Sequence, residues 1–183
     1  MDKYQLALSE LSGVFERIDD SAVDALVEEI ATARRIVVFG GGREKLQIMG
    51  FAMRMFHMGL DAAVEGDMTT PAIGKGDLFL VTCGPGWIST AEALMQVARQ
   101  AGARVAFITA EPQGRCAALA DRILRVPAQT MANDQGASAT SVLPMGSLFE
   151  GALFVLFEVM VLKLKDRLSI SAEDMRQRHT NLE

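Results

Sequence analysis

The chain has 183 residues, 50% of them hydrophobic and 22% charged, with a net charge of −5; that length makes one domain with a substantial core, and so apolar a chain excludes low-complexity disorder. The acidic balance without a Lys/Arg cluster argues against nucleic acid, and the most apolar stretch, Gly151 to Leu162, contains Glu158 and falls short of the ~18 residues of a membrane span. Charges in MDKYQLALSE replace the apolar run of a secretory leader, and two cysteines, Cys83 and Cys116, are too few for a disulfide framework or a four-ligand zinc site, so a soluble cytoplasmic protein is expected.

From Asp2 to Ile18 the apolar residues Leu6, Leu8, Leu11, Val14, Phe15 and Ile18 recur at helical spacing. Ser21 is the expected N-cap of a second helix, Ala22 to Ala33, and residues 1–33 read as a helical arm that packs or makes an oligomer contact. The period then changes. Arg34 to Gly40 is a short β-branched run ending in glycine, which reads as a buried strand. The turn Gly40-Gly41-Gly42-Arg43-Glu44 leads into a helix from Lys45 to Met58. Further strands are expected at Asp61–Val64, Asp77–Thr82, Gly102–Thr109 and Asp121–Val126. A helix from Ser89 to Ala101 and a short one from Arg115 to Ala120 separate the last three.

Alternation of this kind gives an α/β fold, a single domain with a five-stranded parallel sheet and helices on both faces. Aromatic residues at 6%, with 11 Met and 16 Gly, suit close helix–sheet packing and tight strand–helix turns. Pro127 to Pro144 is polar and too long for a simple turn, so a functional or interface loop is expected there. A long helix from Met145 to Leu164, apolar on most sides, needs cover from the domain or from another subunit. Ser171 to Glu183 reads as a short capped helix with an extended end.

In such a sheet, ligands bind beyond the carboxyl ends of the strands, which singles out Gly40–Glu44, Cys83–Ser89 and Thr109–Gly114. Glycine-rich strand–helix turns present backbone N–H groups to anions, although the same glycines also serve tight turns. Neither G-x-G-x-x-G nor the Walker pattern is present. The titratable candidates for proton transfer near neutral pH are His57, Glu150 and His179, each of which could equally serve a helix dipole or packing. Cys83 reads as a nucleophile or as a buried structural thiol, and Trp87 as a stacking platform or as core.

The segments GGGR, MRMFHMGL, GDMTTPAI, GKGDLFLVTCGPG, LADRILRVPA, LPMGSLFE and EDMRQRHTNLE, in that order and over nearly the whole chain, resemble the 6-phospho-3-hexuloisomerases of the sugar isomerase (SIS) domain family. The resemblance implies a five-stranded parallel sheet, assembly into dimers or tetramers, and isomerisation of a sugar or sugar phosphate through an enediol, with no metal or nucleotide cofactor. It also implies Glu150 as the base, with His57 and His179 as assisting acid–base groups and a tail able to reach a neighbouring subunit's site.

The departures fall in the anion loops. The family's G-x-G-R-S becomes Gly-Gly-Gly-Arg-Glu44, and its S-G-S-G-E-T becomes Cys83-Gly84-Pro85-Gly86-Trp87-Ile88. Hydroxyls are lost at Glu44, Cys83, Pro85 and Ile88, and Pro85 also lacks an N–H. The expected substrate-binding set is Gly41, Gly42, Arg43, Glu44, Lys45, Cys83, Gly84, Gly86, Trp87, Ser89 and Thr90, with Arg43 and Lys45 placed to offset Glu44. Acid–base residues kept beside a dismantled phosphate cradle point to an unphosphorylated or otherwise modified sugar. A phosphosugar held by Arg43, Lys45, Ser89 and Thr90 is a second reading, and a sugar-sensing protein without catalysis a third.

Overall fold

The computed structural model describes residues 2–182. Helix α1 (Lys3–Phe15) is capped by Asp2, whose carboxylate accepts from the Gln5 N–H at 2.8 Å. Helix α2 spans Asp20–Ala31, and its cap is Asp19 rather than the expected Ser21. The Asp19 carboxylate accepts from both the N–H (3.0 Å) and the hydroxyl (2.6 Å) of Ser21, so the better acceptor takes the cap and Ser21 becomes its donor. That bonding, the Ser21 hydroxyl foremost, holds the Asp19 carboxyl below its ordinary range.

The sheet contains β1 (Ile36–Gly40), β2 (Ala62–Val64), β3 (Leu78–Thr82), β4 (Arg104–Thr109) and β5 (Arg122–Arg125). All are parallel, in the order β2-β1-β3-β4-β5. The intervening helices are α3 (Glu44–His57) and α4 (Ser89–Gln100), with a 3-10 turn at Arg115–Leu119; α5 (Ser147–Leu168) and α6 (Ala172–Gln177) follow the sheet.

Strand side chains alternate between two cores. Ile36, Val38, Leu78, Leu80, Ala106 and Ile108 face α1, α2, α3, α5 and α6. Val37, Phe39, Phe79, Val81, Val105 and Phe107 face α4 and the 3-10 turn. Strands buried on both faces need continuous apolar runs rather than alternation, which is what IVVF and LFLV supply. The two N-terminal helices share the larger core: Val14, Val23, Leu26, Val27 and Ile30 are buried in it. Surface ion pairs of Lys163 with Asp20 and Asp24, and of Arg167 with Glu28, link α2 to α5, each a small contribution at an exposed site.

Helix α5 departs from its expected bounds at both ends. Met145 (φ 55°) and Gly146 (φ 77°) are left-handed, so the helix starts only at Ser147. It runs on to Leu168, where left-handed Ser169 stops it. Its sides are unequal: Leu148, Phe149, Leu153, Leu156, Phe157, Met160 and Leu164 are buried, while Phe154 and Leu162 are each 60% exposed. The exposed face continues onto α3 through Leu46, Met53 and Phe56. The segment 127–144 contains two short 3-10 turns, Met131–Asn133 and Gly136–Ser138. The tail helix α6 has a capping box between Ser171 and Asp174; Glu183, the end of the expected extended tail, lies outside the described residues.

Connections from β1 and β3 leave toward opposite faces, which makes the gap between those two strands the switch point of the sheet. A crevice opens there beyond the strands' carboxyl ends.

Candidate active site

The crevice is a pocket of about 460 Å³ lined by the turn after β1 (Gly41, Gly42, Arg43, Glu44), the turn after β3 (Cys83, Pro85, Ile88), Thr130 and Met131, and the start of α5 (Met145, Gly146, Phe149, Glu150). Its walls depend on close backbone approach. A Cβ on Gly40 would sit 2.6 Å from the Lys45 nitrogen, so only glycine lets α3 begin so near the strand end. A Cβ on Gly84 would sit 2.9 Å from Phe149 Cδ1 and 3.0 Å from Thr130 Cγ2, which shows how closely α5 seats on the second turn.

Glu150 enters from the first turn of α5, and its Oε2 lies 2.8 Å from Arg43 NH2. The same guanidinium donates to the carbonyl of Met145 at 3.0 Å and to the Ser147 hydroxyl at 3.1 Å, so the strained Met145 backbone is part of what aims it. Burial pushes the Glu150 carboxyl above its ordinary range, while the charge and hydrogen bond of Arg43 pull it back.

Glu44, in the first turn of α3, is 7% exposed. Its Oε1 accepts from the Gly84 N–H at 2.9 Å, and its Oε2 is buried without a hydrogen-bond partner. Loss of water raises its pKa from 4.5 to about 7, with the Gly84 N–H and the nearby Thr82 hydroxyl acting against that rise and the Glu150 charge adding to it. The neighbouring Cys83 thiol is pushed up to about 12, chiefly by burial and next by the Glu44 charge. A thiol so held is a neutral, apolar wall atom rather than a nucleophile.

Arg43 and Lys45 do not offset Glu44. Arg43 turns to Glu150, and Lys45 Nζ donates to the Glu65 carbonyl at 2.8 Å and faces the Glu65 carboxylate at 3.8 Å. Neighbours one residue apart on a helix point in different directions, so sequence adjacency gives no pairing here.

Of the residues expected from sequence, Gly41, Gly42, Arg43, Glu44, Cys83 and Glu150 line the pocket. Gly84 and Gly86 are buried behind it, with Gly86 at φ 81° making the turn. Lys45, Trp87, Ser89 and Thr90 lie off its walls. Trp87 points outward, its indole donating to Glu92 at 2.8 Å and lying 5.1 Å beneath the Arg115 guanidinium. Ser89 and Thr90 are exposed in the first turn of α4.

His57 and His179 come together, with ring centroids 5.1 Å apart, and Arg178 donates to the His57 carbonyl at 3.3 Å. They meet at the far end of α3, however. Fourteen residues at ~1.5 Å per residue separate them by roughly 20 Å from Glu44. Pro85, Ile88, Thr130, Met131, Met145, Gly146 and Phe149 complete the walls and stood outside the expected binding set; the one signal for Thr130 and Met131 was the length of their loop.

Among the described residues, no group of three or more His, Cys, Asp or Glu is placed to hold a metal ion, and no helix is long and apolar enough to cross a membrane.

No family model matches the chain. It is 39% identical over 178 residues to a 3-hexulose-6-phosphate isomerase of Mycobacterium gastri, covering 97% of this chain and 88% of that one. It is 35% identical to a protein of the same name from Methylomonas aminofaciens, with each chain fully covered. A crystal structure from Methanococcus jannaschii, from which a 3-hexulose-6-phosphate isomerase function was inferred, superposes with a TM-score of 0.86 at 24% identity over the whole of both chains. Fold and sequence similarity over nearly the full length thus agree, and the chain belongs to the 3-hexulose-6-phosphate isomerase family of sugar isomerases.

Proposed function

We propose that this enzyme isomerises an unphosphorylated sugar, moving a proton between adjacent carbons through an enediol, with Glu150 as the base. The observation that carries the reading is the Glu44 carboxyl on the Gly84 N–H: the chain's own carboxyl occupies a donor that would otherwise face a substrate anion. Four further donors at the two turns are also engaged. The Gly41 N–H goes to the Thr82 carbonyl, the Gly86 N–H to Cys83, and the Glu44 and Lys45 N–H groups to Gly41 and Gly42, while Pro85 has none.

A phosphate entering here would meet Glu44 and Glu150 with only Arg43 as a lining cation. Above about pH 7, where Glu44 is ionised, two like unit charges 4 Å apart repel by about 4 kcal/mol at an effective dielectric of about 20; below it the neutral carboxyl still holds the Gly84 N–H and has to be displaced. Lys45, Ser89 and Thr90 do not converge on the pocket to compensate.

Proton abstraction from carbon needs a carboxylate with raised basicity beside an apolar wall. Glu150, half-buried and pushed upward by burial, meets that requirement. In the same step Arg43 steadies the negative charge that develops on the sugar oxygen. The His57–His179 pair can assist oxygen protonation only in the pocket of another copy. The exposed apolar face of α3 and α5, with Phe56 close to His57, is the surface on which a second copy would dock to form a homo-oligomer.

Incubation with free sugars and their phosphates in heavy water tests the reading. Solvent deuterium should enter a C–H bond of a free sugar, and Glu150→Gln should slow that exchange by ~10²–10⁴-fold with folding and assembly unchanged. Exchange confined to phosphosugars would overturn the substrate assignment, and stabilisation of the fold by a sugar without any exchange would leave only a sensor.

A further inference from the structure

The pocket is divided by chemistry. Arg43, Glu44 and Glu150 gather at the starts of α3 and α5, while the remaining side-chain wall is Cys83, Pro85, Ile88, Met131, Met145 and Phe149, apolar apart from a thiol that burial keeps neutral. The Thr130 hydroxyl oxygen, also on this wall, accepts from the Ala132 N–H at 3.3 Å, and the residue is only 2% exposed. The apolar groups cover the glycine turns themselves. A Cβ on Gly41 would lie 2.8 Å from Ile88 Cδ1, and one on Gly84 2.9 Å from the Phe149 ring. The tip of Ile88 therefore roofs the first turn and Phe149 the second.

We infer, resting on the reading of an unphosphorylated sugar, that this wall receives the end of the sugar remote from the reacting carbons, and that the substrate is a deoxy sugar ending in a methyl group. A terminal hydroxyl against Ile88, Pro85 and Phe149 would give up water and find no partner, whereas a methyl group gains from the same contact. The polar end then receives the carbonyl and its neighbouring hydroxyl. Glu150 removes the proton from the hydroxyl-bearing carbon, the C–H electron pair forms the C=C bond, and the carbonyl π pair moves to oxygen, which takes a proton from an acid. Return of that proton to the acid from the other oxygen, and of the first proton from Glu150 to the adjacent carbon, completes the isomerisation with both groups restored. A pocket of about 460 Å³ is within the ~300–1,000 Å³ of small-molecule sites.

The test compares three ketohexoses of one configuration that differ only at carbon 6: methyl, hydroxymethyl and phosphorylated. The readout is kcat/KM for deuterium incorporation from heavy water, using the full chain in its assembled state. The methyl-terminated sugar should exceed the hydroxymethyl sugar by at least tenfold, equivalent to about 1.4 kcal/mol, and the phosphate should be inert. In Ile88→Thr, which returns a hydroxyl to the wall, the first ratio should fall to within about threefold. Should that variant fail to fold, the wild-type ratio alone decides. Equal or faster exchange of the hydroxymethyl sugar overturns the inference and leaves the unphosphorylated-sugar reading standing. Preference for the phosphate, or no exchange with any sugar across the configurations, overturns both.

Discussion

Glu44→Gln isolates the cost of keeping a carboxyl in the pocket floor. The folded protein holds a proton on Glu44 up to about pH 7, whereas the unfolded chain releases it near 4.5. Between those values the native state binds the extra proton, so stability falls as pH rises through the window. At 1.36 kcal/mol for each pH unit the whole fall is about 3 kcal/mol. Below pH 4.5 both states are protonated and the penalty is absent; above pH 7 it is complete. The amide of Gln keeps an oxygen for the Gly84 N–H and turns a donor toward Thr82 Oγ1, which is buried without a partner. Urea unfolding of both proteins from pH 4.5 to 8.5, at one protein concentration so that any assembly contributes equally, should show the variant gaining about 3 kcal/mol on wild type across the range. For a chain of this length that corresponds to roughly 6–12 °C in Tm at the alkaline end. A stability difference that stays constant with pH would refute the assignment of a proton to Glu44.

Two further substitutions probe the site and its surroundings. Arg43→Met removes the cation that opposes the upward push of burial on Glu150; because the base must be ionised to act, the acid limb of the kcat/KM–pH profile should move to higher pH, and an unmoved limb would separate Arg43 from the base. Met53→Lys places a charge in the middle of the exposed apolar face of α3 at little cost to the monomer; sedimentation velocity should show a smaller assembly than wild type, and an unchanged one would move the interface elsewhere.

The parts of this molecule that were legible in its sequence are those that local physics decides. IVVFG, LFLVT and RVAFIT read as buried strands, because they are short apolar runs enriched in β-branched and aromatic residues and bounded by turn residues, the pattern of a strand covered on both faces. Gly40 at the end of the first, and Gly84 and Gly86 just beyond the second, mark the two turns that border the pocket. What remained hidden depends on direction and distance. Met145 and Gly146 are left-handed, so α5 starts late and brings Phe149 onto the second turn and Glu150 to Arg43 of the first; nothing in the letters PMGSLFE states a sign of φ. Thr130 and Met131 reach the pocket through tertiary contact alone. The charges flanking Glu44 read as a local balance, yet helix geometry sends Arg43 to α5 and Lys45 to Glu65, leaving the carboxyl to a single N–H. His57 illustrates the opposite limit. A motif residue thirteen positions along the same helix is near in sequence and about 20 Å away in space, so the fold of one chain does not bring it to the pocket.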